Sequence, residues 1–241
     1  MAGKDDSDPK LPASARKTDV AAFLRKVAAL PAVKAGGARG RLIFALDATA
    51  SREPTWERAC QLQSEMFDAA AALGGLAVQL VYYRGLAECK ATRWLESSEK
   101  LRHAMSTVSC QGGETQIARV LDHAIAAARA GKVNALIFVG DAMEENPDAL
   151  CGRAGELALL GVPLFVFHEG DDPAAARTFQ ELARLSGGAY CAFDARSADE
   201  LKRLLGAVAA FAAGGPRALA DYGRRAGGAA LLLAQRLGGA S

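Results

Sequence analysis

Asp47, Thr49 and Ser51 alternate at the end of the stretch RLIFALDATAS, directly after an apolar run. A second acid, Asp141, follows the apolar run VNALIFVG, and Thr115 follows the turn QGGE. All these side chains offer carboxylate or hydroxyl oxygens, the ligands that Mg²⁺ and Mn²⁺ prefer, and they are too few to fill a calcium cage. If they meet, they would form a site for Mg²⁺ or Mn²⁺ that keeps waters or accepts a ligand from outside.

Short apolar runs alternate with amphipathic segments from Arg41 onward, a pattern typical of βα units around a mostly parallel sheet. We predict strands at Leu42–Leu46, Ala77–Tyr83, Val133–Gly140, Pro163–Phe167 and Ala189–Phe193. The segment LAECKATRW follows the second strand after a turn too short for a helical crossover, so it predicts one antiparallel edge strand. The expected fold is α/β: a doubly wound, Rossmann-like, six-stranded sheet with helices on both faces.

Helices are predicted between the strands and at both ends of the chain. Apolar periodicity favours helices in residues 18–30, with Thr18 as N-cap and Pro31 as stop, in residues 54–73 and in residues 115–130. Two further helices begin at Asn146-Pro147 and Asp172-Pro173, and the last begins with the capping box of residues 197–200. Residues 84–113 are the one irregular region.

The predicted sheet explains why the oxygen-bearing residues should meet. In an open parallel sheet, ligands bind outside the carboxyl ends of the strands. Asp47, Thr49 and Ser51 leave one central strand at that end, Asp141 leaves another, and Thr115 lies at the start of the intervening helix. Two converging carboxylates would repel each other, and a bound cation would remove that repulsion.

The set Asp47-x-Thr49-x-Ser51, then Thr115, then Asp141 resembles the metal-ion-dependent adhesion site of the von Willebrand factor A (VWA) family, over about residues 41–213. The resemblance implies that Thr49 and Ser51 coordinate the metal directly and that Asp47 and Asp141 act directly or through waters. It also implies that Thr115 enters or leaves the coordination shell as the ligand changes. VWA domains are mostly binding modules, and many bacterial intracellular members work beside ATPases or chaperones.

Two features depart from the family pattern. Thr49 replaces the middle serine and keeps its oxygen, and Glu114 lengthens the usual Gly-Gly-Thr. Glu114, with Glu53, Glu144 and Glu145, would surround the site with negative charge, which attracts a cation but weakens capture of an acidic partner. The alternative for Glu144 and Glu145 is that they are acids favoured by the positive end of a helix.

We expect the chain to divide into a flexible arm (residues 1–17), an N-terminal helix and linker (18–40), a domain that resembles VWA domains (41–213) and a C-terminal helical extension (214–241). The net charge of +2 separates into basic ends and an acidic body. This balance does not indicate nucleic-acid binding. The first twenty residues do not resemble a signal peptide, no apolar run reaches the length of a membrane span and the cysteines form no CxxC pair, so a cytoplasmic location is expected.

These features predict a cytoplasmic, bacterial-type, divalent-metal-dependent protein-binding module, a scaffold or adaptor. Its partner would be a protein that offers a carboxylate, within an ATPase or chaperone system. No catalytic residue is predicted, because no Ser-His or Cys-His pair is indicated, and His103, His123 and His168 share no spacing. One alternative is a Mg²⁺-dependent phosphoryl-transfer hydrolase of the haloacid dehalogenase type using Asp47, although Thr49 stands where a second Asp is needed. Another is a membrane-surface adaptor that binds through the basic tails.

Overall fold

The computed structural model describes residues 22–29, 40–53, 76–193 and 198–226. The strands are β1 (Gly40–Asp47), β2 (Leu76–Arg84), β3 (Glu88–Ala91), β4 (Ala135–Gly140), β5 (Leu164–Glu169) and β6 (Ala189–Phe193). The helices are α1 (residues 22–28), α2 (Ser98–Ser106), α3 (Ile117–Ala130), α4 (Pro147–Leu159), α5 (Pro173–Leu185) and α6 (Ala198–Ala226). A short 3₁₀ turn, Ala50–Arg52, follows β1.

The strands form one six-stranded sheet in the order β3-β2-β1-β4-β5-β6. All neighbouring strands are parallel except β2 and β3, which pair antiparallel. The first strand, β1, lies in the middle of the sheet. The next two strands extend the sheet to one edge and the last three extend it to the other, so the fold is doubly wound. The predicted fold class and edge strand are confirmed, and each of the five predicted parallel strands begins and ends within two residues of its prediction.

Helices cover both faces of the sheet, because alternate residues of the buried strands point to opposite faces. Leu42, Phe44 and Leu46 of β1 face the core shared with α1, α2 and α6. Ile43 and Ala45 face the core shared with α3, α4 and α5. Helix α2 lies within the region that the sequence marks as irregular, and Ser97 caps it by accepting a hydrogen bond from the Lys100 N–H.

The two Asx-Pro helix starts are confirmed. Asn146 Oδ1 accepts from the Ala149 N–H at 3.0 Å, and Asp172 Oδ1 accepts from the Ala174 N–H at 2.8 Å. Several predicted features lie outside the described residues: Thr18, Pro31, the helix in residues 54–73, the capping serine at position 197 and both chain termini.

The terminal helices pack on the same face of the sheet. Phe23 of α1 is buried, with its ring centroid 5.3 Å from that of Phe167. Helix α6 is kinked at Gly214 and Gly215, and Gly215 has a positive φ of 67°, which glycine adopts without strain. The division of the chain at residue 213 stays a prediction, although the kink falls there. No helix in the described ranges is long and apolar enough to cross a membrane.

Candidate metal centre

Asp47 is the last residue of β1 and is fully buried. Its Oδ1 accepts a hydrogen bond from the Thr49 N–H at 2.7 Å, and its Oδ2 accepts from the Tyr83 hydroxyl at 2.8 Å. Burial raises the pKa of the Asp47 carboxyl, while the bonds from Thr49 and Tyr83 lower it. These two hydrogen bonds hold the Asp47 carboxylate in one orientation. Each carboxylate oxygen still has a lone pair that can bind a cation or accept a hydrogen bond from water.

The turn after β1 brings the two hydroxyls together. Thr49 has an extended backbone, and the Arg52 N–H donates to the Thr49 carbonyl at 3.1 Å, which closes a 3₁₀ turn. The turn places Thr49 Oγ1 and Ser51 Oγ 3.0 Å apart. The Thr49 side chain is buried and that of Ser51 is exposed, so the pair spans from the interior to the surface.

Asp141 follows β4, the strand next to β1. The preceding residue, Gly140, has no room for a side chain, because a Cβ there would lie 2.7 Å from the ring of Phe138 and 3.6 Å from the Asp47 Cβ. The charge of Asp141 contributes to the raised pKa of Asp47, after the larger effect of burial. Asp141 Oδ1 is buried and has no hydrogen-bond partner among the described residues.

Thr115 is held against the loop that carries Asp141. Its hydroxyl accepts a hydrogen bond from the Glu144 N–H at 3.1 Å, and its own N–H donates to Glu144 Oε2 at 3.0 Å. The neighbouring Glu145 carboxylate accepts from the N–H groups of Ile117 and Ala118. Both glutamates therefore accept hydrogen bonds from backbone N–H groups at the start of α3. This supports the interpretation that the positive end of a helix favours these acids, but the helix is α3 and not α4, which follows them in the chain.

The glycine loop before Thr115 packs on the turn after β2. A Cβ on Gly113 would lie 2.0 Å from the Gly85 carbonyl oxygen, so the two backbones are in direct contact. The Gln111 N–H donates to the Ala48 carbonyl at 3.0 Å. These contacts bring all three sequence segments to one edge of the sheet. Among the described residues, however, the Thr115 hydroxyl bonds to the Glu144 N–H and not to the Asp47 group.

Three supporting side chains cannot be identified from the sequence motif. Tyr83 is completely buried, and burial together with Asp47 raises its pKa well above the usual value, so its hydroxyl stays protonated and donates. His168 bonds through Nε2 to the Asp141 carbonyl at 3.3 Å and through Nδ1 to the Tyr190 hydroxyl at 2.9 Å. Buried Arg52 pairs with Glu169 at the end of β5.

His168 contacts the backbone of Asp141 through a hydrogen bond to its carbonyl and does not belong to the candidate ligand set. Burial lowers the pKa of His168, which favours the neutral imidazole. Because a carbonyl only accepts hydrogen bonds, the contact with Asp141 assigns the proton to Nε2, and Nδ1 then accepts from Tyr190. That this histidine is neither ligand nor catalyst stays a prediction, and its contacts with Asp141 and Tyr190 support a structural role.

We expect Tyr83→Phe to weaken metal binding by about tenfold, because outer-shell partners of ligating carboxylates contribute that much. The variant leaves Asp47 buried with one hydrogen-bond donor fewer, so its ionised form becomes less favourable. The matched control is Tyr82→Phe, since Tyr82 is only half-buried and packs against the opposite core. Calorimetric titration with Mn²⁺ measures both; equal affinities for the two variants would contradict the role assigned to Tyr83.

The donor set fits a small hard cation. Among the residues that the structure describes, no three His, Cys, Asp or Glu side chains form a metal cluster. The candidate set instead combines two acids with three hydroxyls, which suits a cation that prefers oxygen and keeps waters. The buried, unpartnered oxygen of Asp141 is the kind of atom that a cation or an ordered water would satisfy.

Comparison with known proteins identifies the fold through structure alone. No protein-family model and no curated protein matches the sequence. The pilus adhesin SpaC from Lactobacillus rhamnosus GG matches with a TM-score of 0.59 and 12% identity, over 76% of this chain and 30% of that chain. The SpRpn10 VWA domain matches with a TM-score of 0.56 and 10% identity, over 69% of this chain and 95% of that chain.

A third solved structure, the proximal thread matrix protein 1 of the mussel byssus, has a zinc-occupied metal-ion-dependent adhesion site. It matches with a TM-score of 0.53 and 16% identity, over 71% of this chain and 45% of that chain. These neighbours and the sheet order establish that the chain has a VWA-like fold. The resemblance read from the sequence motif is thus confirmed at the level of the fold.

Proposed function

We propose that this VWA-like domain is a divalent-metal-dependent protein-binding module. Asp47, Thr49, Ser51, Thr115 and Asp141 would hold Mg²⁺ or Mn²⁺. When bound, the metal would supply an electrophilic centre if Thr49 and Ser51 ligate it directly and the two acids act through waters, because the hydroxyl ligands carry no charge. A carboxylate from another protein is then a suitable additional ligand.

The observation that carries this proposal is the buried oxygen of Asp141, which has no hydrogen-bond partner among the described residues and whose charge contributes to the raised pKa of the buried Asp47. Such an arrangement is unfavourable without a cation, since the two negative charges repel each other in surroundings where solvation is poor. The positions of Thr49 and Ser51, with oxygens 3.0 Å apart, support hydroxyl ligation at the same edge. The zinc-occupied site of the mussel protein supports a divalent ion in this fold.

The proposed role is that of a non-catalytic scaffold or adaptor in the cytoplasm, beside an ATPase or chaperone system. The site offers no nucleophile paired with a general base: Thr49 stands two residues after Asp47, where a phosphoryl-transfer hydrolase needs a second acid. The alternative membrane-surface role depends on the basic tails, most of which lie outside the described residues.

Thermal unfolding of the full chain tests the proposal. We expect Mg²⁺ or Mn²⁺ to raise the unfolding temperature and EDTA to reverse the rise, because a ligand that binds only the folded state stabilises it. The immobilised protein should then retain a partner in Mg²⁺ and release it in EDTA, without hydrolysing p-nitrophenyl phosphate. Unchanged unfolding with and without either metal would contradict the proposal, and metal-dependent release of phosphate would favour the hydrolase.

A further inference from the structure

Leu86 is an exposed apolar side chain at the candidate metal edge. Of the described residues, Leu86 and Leu159 are the exposed large hydrophobics, at 75% and 90% exposure. A single exposed leucine is ordinary on a protein surface, so exposure alone carries no functional meaning. The position, rigidity and charge of its surroundings distinguish Leu86 from Leu159.

The turn that carries Leu86 lies at the same edge of the sheet as Asp47. Tyr83 of β2 pairs in register with Asp47, and the Ala48 N–H donates to the Tyr83 carbonyl at 2.9 Å. Leu86 follows Tyr83 by three residues, in the turn between β2 and β3. Leu159 ends α4, which begins near the Asp141 loop and runs about 20 Å toward the opposite edge of the sheet.

The backbone on either side of Leu86 is firmly held. Gly85 has a positive φ of 59° and contacts the Gly113 backbone. The Gln116 side chain donates to the carbonyls of Arg84 at 3.2 Å and Gly85 at 3.0 Å. The Arg119 guanidinium donates to the carbonyl of Ala87, on the other side of Leu86. A side chain presented on a fixed turn loses little conformational freedom when a partner covers it.

The turn carries a small excess of positive charge. Arg84, Lys90 and Arg119 contribute three cations, and Glu88 contributes one acid, which pairs with Arg84 at 3.1 Å and with Lys90 at 2.9 Å. The nearby glycine loop adds the exposed acid Glu114, so the local excess is one positive charge. This excess favours an acidic residue of the partner on the β3 side of the site, whereas Glu144 and Glu145, which bind Thr115 and the start of α3, disfavour one there.

We infer that the Leu86 turn is a second contact surface for the partner, and that it selects an acidic segment with an apolar side chain beside the metal-binding carboxylate. The inference rests on the proposed function, since the metal supplies the first contact. The carboxylate fixes the segment at the metal, the apolar side chain covers Leu86, and the cations of the turn attract the remaining acids. Contact with an apolar group would give selectivity that a metal–carboxylate bond alone lacks.

Selection of random peptides displayed on phage tests this inference with the full chain, in Mn²⁺ and in EDTA. With the wild type in Mn²⁺, we expect enrichment of Asp or Glu beside an apolar residue. Leu86→Ser should keep the enrichment of acids and lose that of apolar residues. Leu159→Ser is the matched control and should select as the wild type does. A synthetic peptide from the wild-type selection should bind Leu86→Ser about tenfold more weakly in fluorescence anisotropy.

The outcomes separate the two proposals. Acid enrichment that depends on Mn²⁺ but shows no apolar preference, or an apolar preference unchanged in Leu86→Ser, overturns the role of Leu86 and leaves the metal-dependent function standing. Absence of any Mn²⁺-dependent enrichment overturns both. Circular dichroism of the two serine variants establishes that each is folded, as expected for substitutions at exposed positions.

Discussion

Asp47→Asn should abolish stabilisation by metal while the domain stays folded. Asparagine has the shape of aspartate, and its amide can accept from the Thr49 N–H and donate to the Tyr83 hydroxyl, which itself can turn to accept. The substitution removes the negative charge that a divalent ion requires. At a free metal concentration of about 100 times Kd, the wild type should gain about 2.7 kcal/mol, and the variant almost nothing.

Differential scanning calorimetry in Mg²⁺ and in EDTA measures this effect. For a chain of this size, about 2.7 kcal/mol corresponds to a rise of roughly 5–10 °C in the unfolding temperature. Asp148→Asn is the matched control, because it removes the same charge from an exposed position in the first turn of α4. The control should keep the full rise. An equal rise in Asp47→Asn would show that the metal binds elsewhere.

Gly113→Ala should destabilise the domain by about 3 kcal/mol, near the upper end of the cost of adding a methyl group to a packed site. The new Cβ would lie 2.0 Å from the Gly85 carbonyl oxygen and 2.5 Å from its Cα, so one of the two backbones must move. Because Thr115 follows two residues later, that movement should also displace its hydroxyl and weaken binding of Mn²⁺.

Gly112→Ala provides the control, since a Cβ at that position meets no atom within 4 Å. Its effect on stability should stay within about 1 kcal/mol, and the reduced freedom of the unfolded chain even favours the variant slightly. Urea unfolding gives the stability of both proteins, and Mn²⁺ titration gives their affinity. If the two alanine variants behave alike, the Gly113–Gly85 contact does not position the loop.

The positions of the strands could be predicted because each strand is a short apolar run that ends at a turn or a polar residue. The location of Asp47, Thr49 and Ser51 could be predicted as well, because residues that follow a parallel strand must lie at the carboxyl edge of the sheet. Asp141 follows from the identical argument applied to β4. These features depend on local pattern, which the sequence carries directly.

The supporting contacts depend instead on pairs of residues that are distant in the chain. Arg52 pairs with Glu169, 117 residues later, and Glu144 bonds to Thr115 across 29 residues. Nothing in the local sequence distinguishes the acids that bind the start of α3 from acids that remain in solvent. The role of Tyr83 could not be predicted either, because in the sequence it is an ordinary strand residue and only the register of β1 and β2 brings its hydroxyl to Asp47.

We propose that one small cation lies among Asp47, Thr49, Ser51, Thr115 and Asp141. Anomalous diffraction from crystals grown with Mn²⁺ locates such an ion without assumptions about its ligands. We expect a single peak beside the hydroxyls of Thr49 and Ser51, at about the 2.1 Å typical of Mg²⁺ ligands. A peak at another cluster of acids, with none at this edge of the sheet, would contradict the account.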